Sequence, residues 1–137
     1  MRRTVKAEIM NIEEFYKKLG GNYGEVSERL PSLALVEKFI AKFLQDKSFG
    51  DLSASMKIGN RKDAFRAVHT LKGVCANLGF ATLKERSSGL CEVLRGEGES
   101  IPDTAYTLYA DVEREYTVTT QTICEYLNHS FPMREDV

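Results

Sequence analysis

The residue best placed to do chemistry in this 137-residue chain is His69. It opens the run His69-Thr70-Leu71-Lys72-Gly73-Val74-Cys75-Ala76-Asn77-Leu78-Gly79, within a stretch of strong helical periodicity. At about 100° per residue, Ala64, Ala67, Val68, Leu71, Val74, Cys75 and Leu78 line up as one apolar stripe. His69 falls nearly opposite that stripe, with Lys62, Arg66, Lys72, Gly73 and Ala76 within about 60° of it. The pattern therefore predicts an outward-facing imidazole ringed by cations, with a glycine one turn further on. Glycine inside a helix costs about 1 kcal/mol relative to alanine, so its presence points to a demand for space beside the ring.

A surface histidine can serve as base, metal ligand, proton switch or nucleophile, and each role needs different neighbours. A metal site needs further ligands on the same face, and the neighbours here are lysine and arginine, which repel a cation. Cys75 lies about 120° away around the helix, on the core side, which excludes an intrahelical Cys–His dyad. Phosphoryl acceptance fits the neighbours better. A neutral imidazole nitrogen is a competent nucleophile, an unperturbed pKa of about 6.5 leaves most of it neutral at pH 7, and nearby cations stabilise phosphoryl oxygens after transfer. Nothing else that phosphoryl transfer needs is present. The chain has no GxxxxGK[ST] loop, no kinase glycine-rich loop and no acidic cluster set to hold Mg²⁺. The metal and the remaining catalytic groups would have to come from a partner.

The elements that must position His69 read as helices throughout. Asn11 and Glu14 form a capping box with Met10 and Phe15 as its staple, and Gly20-Gly21 ends that short helix. A second short piece runs from Asn22 to about Leu30. Pro31 to about Asp46 carries the stripe Leu33, Val36, Ile40, Phe43 and Leu44, of which the first four are read as core. Phe49, Leu52 and Met56 mark a shorter helix stopped by Gly59. Asn60 with Asp63 caps the histidine helix, Gly79 terminates it, and Phe80 supplies the apolar contact beyond. Thr82 with Glu85 is expected to cap the next helix, in which Leu83, Leu90 and Leu94 face inward. Ser100 with Asp103, and Pro102 in the first turn, open a long last helix. That helix carries Ala105, Leu108, Val112, Thr119, Ile123 and Tyr126 or Leu127, and its β-branched Thr117–Thr120 run yields to the helical pattern. The tail from Phe131 is expected to fray. Short loops between amphipathic helices imply antiparallel neighbours, hence an all-α, up-and-down bundle.

His69-Thr70-Leu71-Lys72-Gly73 followed by Ala76-Asn77-Leu78-Gly79 resembles the phosphoacceptor signature of histidine-containing phosphotransfer (HPt) domains. The order of elements also agrees, with a phenylalanine-bearing helix before the motif (Phe39 to Phe43) and two helices after it. The resemblance implies an antiparallel up-and-down four-helix bundle with an N-terminal helical extension, and it divides the chain into that extension over 1–30, an HPt bundle over 31–128 and a tail over 129–137. It implies a stand-alone carrier that passes phosphate between aspartates of receiver domains, with His69 as acceptor, Lys72 as the stabilising cation and Gly73 as the residue that clears access. Response-regulator receiver domains and a hybrid sensor histidine kinase are the implied partners. The receiver supplies Mg²⁺, and the chain itself holds no cofactor or metal and is not an enzyme. Val74 and Cys75 depart from the small residues common in the family and read as packing changes. Asn60 replaces a frequent acid and caps equally well.

A formal net charge of −1 argues against nucleic acid or an anionic membrane as partner. No apolar run is long enough to span a bilayer, and the basic start Met1–Lys6 lacks a signal-type apolar stretch behind it. A cytoplasmic monomer is expected. Cys75, Cys91 and Cys124 read as small buried thiols. Lys62, Arg66 and Ala76 are candidates for partner docking, and His129 is assigned no role. The rival reading is a helical adaptor that binds a receiver or kinase without carrying phosphate.

Overall fold

The computed structural model describes residues 10–130. Seven helices account for 79% of them: α1 Ile12–Lys18, α2 Tyr23–Arg29, α3 Leu33–Phe43, α4 Ser48–Ile58, α5 Arg61–Leu78, α6 Ala81–Leu94 and α7 Asp103–Ser130. The basic start and the tail beyond Ser130 lie outside the described residues, as does the side chain of His129.

The last four helices make the bundle. Gly59-Asn60 joins α4 to α5 and Gly79-Phe80 joins α5 to α6, loops too short for anything but antiparallel neighbours. Cross-contacts fix the other directions. Arg61 at the start of α5 reaches the carbonyls at the end of α6. Phe49 at the start of α4 stacks on Tyr109 and Tyr116 of α7, with ring centroids 6.0 and 4.1 Å away, while the end of α4 meets Tyr106, whose hydroxyl donates to the Met56 carbonyl. The bundle is therefore up-and-down, with α3 packed against α5 and α7 and with α1 and α2 closing one end.

The core forms where the apolar stripes meet. Ala64, Ala67, Val68, Leu71, Cys75 and Leu78 of α5 are buried, as are Leu83, Leu90 and Leu94 of α6 and Val112, Thr119 and Ile123 of α7. An aromatic knot joins the extension to the bundle: Phe43 meets Phe80 edge-on at 5.1 Å, and Phe15 packs on Tyr16 and Tyr126. Tyr126 also donates to the Glu37 carboxylate of α3. The β-branched run is helical, and its threonine hydroxyls fold back onto their own helix. Thr119 Oγ1 donates to Glu115 and Thr117 Oγ1 to Glu113, so burying Thr119 strands no polar group.

Several expectations are corrected. Thr82 and Glu85 do not cap α6. That helix starts at Ala81 without a side-chain cap, and the Thr82 N–H donates instead to the Leu19 carbonyl at the end of α1. A tertiary acceptor has replaced the local one. Helix α7 starts at Asp103, so Pro102 precedes its first turn and Ser100 lies too far back to cap it. The third helix is shorter than its apolar pattern, with Ser32 as its cap. Leu33 is 44% exposed and Leu44 39%, because both sit at the ends of α3, where the stripe overruns the packed surface. Val74 is only half-buried. Cys124 is exposed, whereas Cys75 and Cys91 are buried. Burial pushes the Cys75 thiol up to about 12, which makes it chemically inert at neutral pH.

Arg61 was not singled out by its sequence context, yet it is the bolt of this corner. Its guanidinium donates to the carbonyls of Val93, Leu94, Arg95 and Ser100, at 3.1–3.2 Å, closing the C-terminus of α6 and the loop after it. Hydrogen bonds from charged donors are the stronger class. Arg61→Ala should lower stability by about 2 kcal/mol. Arg61→Lys should recover little of it, because one ammonium cannot reproduce the planar fork. Urea unfolding midpoints of the two variants against wild type check this.

Candidate functional site

The site is built on α5, whose two ends are fixed independently of its middle. Asn60 opens it, accepting from the Asp63 N–H at 3.0 Å and donating to the Asp63 carboxylate at 2.9 Å. At the far end Gly79 adopts φ +77°. The Phe80 N–H reaches the Cys75 carbonyl and the Gly79 N–H that of Ala76, the paired pattern of a Schellman cap. The extension adds a second closure there: Tyr16 Oη donates to the Leu78 carbonyl at 2.7 Å, and Arg29 donates to Ala76 and Asn77.

Between these ends His69 is exposed, about two and a half turns from Asn60 and nearly three from Gly79. Lys62, Arg66, Gly73 and Ala76 are exposed on the same side, and Lys72 is half-buried toward α6. The predicted constellation thus stands together on one face. Arg66 pairs with Asp63 at 3.5 Å, so its charge is partly engaged. A Cβ added at Gly73 would meet nothing within 4 Å, which removes close helix packing as the reason for a glycine there. Asn77 faces outward, and its side chain makes no hydrogen bond among the described residues. Its part in closing the helix end is its carbonyl, which Arg29 caps.

Two grooves flank this face. One, of about 490 Å³, runs between α4 and α5 and is lined by Ala54, Ile58, Arg66, Ala67 and Thr70 among others. Ile58 there is 77% exposed. The other, of about 380 Å³, lies beside the last turns of α5 between Phe39, Phe43, Val74 and Leu78, with Arg29 and Lys42 at its rim. On the α6 side stands Phe65, one turn before His69, with ring centroids 5.8 Å apart. Glu92 and Arg95 of α6 complete that edge as an ion pair of 3.0 Å. The hydrogen bond and charge of Arg95, with a smaller effect of Lys72, hold the Glu92 carboxyl below the usual range. Phe65 was legible in principle, since residues four apart share a helix side. Arg95, Glu92 and Ile58 carry no local signal, because only the antiparallel packing brings their helices alongside.

Among the described residues no group of His, Cys, Asp or Glu is arranged to hold a metal ion, and no helix is long and apolar enough to cross a membrane.

A helical bundle that displays one uncovered histidine in mid-helix, beside a glycine and cations, defines a class of protein by geometry. The chain belongs to the Hpt domain family, whose model matches residues 32–118. Hpt domains are the histidine phosphotransfer modules of phosphorelays, and they work with receiver domains and kinases. Comparison with curated proteins and with solved structures gave no match.

Proposed function

We propose that this chain is a phosphoryl carrier that relays phosphate between receiver-domain aspartates through His69. The observation that carries the reading is the exposed His69 ring at the centre of α5, with open space at Gly73 and Lys72 half-buried beside it. In the forward step the lone pair of a neutral imidazole nitrogen forms an N–P bond as the P–O bond of the partner's aspartyl phosphate breaks. The electron pair leaves with the aspartate carboxylate, and the proton on the other ring nitrogen stays on the phosphorylated ring. The reverse step returns a neutral imidazole. Mg²⁺ belongs to the receiver domain. Lys72 faces the added charge, Gly73 leaves room for the tetrahedral group, and catalysis rests on the partner.

The docking face is α5 with a neighbouring helix, apolar around the histidine and charged at its rim. Exposed Ile58, with Lys62, Arg66 and Ala76 around the acceptor, supports this. The carrier is a cytoplasmic monomer that docks on receiver domains and on a hybrid sensor histidine kinase.

The test is a transfer assay. The chain is mixed with a phosphorylated receiver domain from the same cell in Mg²⁺, and acid-labile, base-stable label is followed onto it. Label supports the relay. Binding without label from any of the cell's receivers overturns it and leaves the adaptor reading.

Gly73 provides an internal check. Gly73→Ala should raise stability by about 1 kcal/mol, since the methyl replaces glycine in a helix and meets nothing. Gly73→Gln should keep the fold but slow phosphoryl uptake by about tenfold, through misplacement of the incoming group. Urea melts and transfer rates on the two variants separate the effects.

A further inference from the structure

We propose that Phe65 is a positioning residue for His69, and that Arg95 of α6 seats it; the proposal rests on the carrier reading above. The two rings lie one turn apart on α5, with planes inclined by 38°. Among the described residues no hydrogen bond or ion pair holds the His69 side chain, and the Phe65 ring stands beside it with centroids 5.8 Å apart. Phe65 is itself half-buried. Its ring is covered by the Arg95 guanidinium, whose carbon lies 5.3 Å from the ring centroid. Arg95 is in turn bonded to Glu92 at 3.0 Å. It sits at the C-cap of α6, where Arg61 binds the carbonyls of Val93, Leu94 and Arg95. A chain of contacts therefore runs from the Arg61 corner to an imidazole with no hydrogen bond or ion pair among the described residues.

The chemistry explains why such a wall is useful. A histidine χ2 is broad, with no sharp staggered wells to hold it. Phosphoryl transfer needs the nitrogen lone pair, which lies in the ring plane, in line with the breaking P–O bond. Restricting the swing of the ring removes orientational freedom that would otherwise be lost in the transfer step. A phenyl face does this without occupying either ring nitrogen, whereas a carboxylate or amide at the same place would hydrogen-bond one of them. The Arg95 cation over the Phe65 ring is a favourable contact that holds the phenyl group in place.

The experiment uses the full chain as wild type, Phe65→Ala, Phe65→Leu, Phe65→Tyr and Arg95→Ala, each checked for helicity. The His69 ring resonances are followed by NMR in the free protein, and phosphotransfer from a phosphorylated receiver is resolved into kcat and KM. Phe65→Ala should shift the His69 ring protons toward rotationally averaged values and lower kcat about tenfold, with KM held within about twofold. Phe65→Tyr should restore both readouts, Phe65→Leu neither, and Arg95→Ala should fall between. An unchanged kcat in Phe65→Ala, a change confined to KM, or full recovery by leucine would each overturn the proposal. A wild type that takes no label defeats the carrier reading instead. The NMR comparison then stands by itself: averaging that appears only without the aromatic ring supports the positioning role, and averaging already present in wild type removes it.

Discussion

His69→Gln should take up no label above background from a phosphorylated receiver, while keeping the unfolding midpoint of the wild type. Glutamine fills similar volume and keeps a polar tip, but its amide nitrogen has no lone pair free to attack phosphorus. The structure makes the loss clean because the ring is exposed and outside the core, so the substitution should cost no more than about 0.5 kcal/mol. Transfer assay, urea melt and partner-binding measurement on the same preparation separate chemistry from folding and docking. Label persisting on the variant would move the acceptor elsewhere, and the sequence offers one other histidine, His129, to examine next. Unchanged biological output from an unlabelled variant would favour the adaptor.

Gly79→Ala should be among the most destabilising single-methyl additions in the chain, at about 3 kcal/mol. Two independent costs meet there. At φ +77° any side chain crowds the following carbonyl. The new Cβ would also stand 2.4 Å from Val26 Cγ2 and 3.2 Å from Tyr16 Cε1, in the joint where the extension covers the end of α5. Gly59→Ala is the control. It shares the left-handed backbone at φ +75° but has open space around it, so only the conformational cost of about 1 kcal/mol remains. Equal losses in the two variants, read from urea midpoints, would show that the extension yields at the joint.

The His69 helix was legible because its signals are local. The wheel that put Ala64, Val68, Leu71 and Cys75 inside and His69 outside needs only a period of 3.6, and Asn60 and Gly79 act on backbone groups within a few residues. What escaped is what depends on neighbours. Thr82 has the right type and spacing for a cap, but the Leu19 carbonyl reaches its N–H first. Arg61 looks like one more solvated cation until the end of α6 is brought against it. Leu33 fits its stripe and is exposed because the surface it would pack on stops one turn earlier. Cys124 is exposed because its helical neighbours Thr120, Gln121 and Asn128 place it on the outer side of α7. For the candidate site, residue types and a helical wheel sufficed to gather His69, Lys72 and Gly73 on one side. The Phe65 wall and its Arg95 seat required the antiparallel approach of α6.

The double closure of α5 bears on how a carrier behaves over time. With Arg61 bolting one end to α6, and Tyr16 and Arg29 capping the other, the helix has no soft terminus from which a docked protein could begin to unwind it. The ordering entropy of its eighteen residues is settled during folding, not at each encounter. On the carrier reading the scaffold is therefore set before a partner arrives, and what would differ between one encounter and the next is the group bonded to the exposed ring.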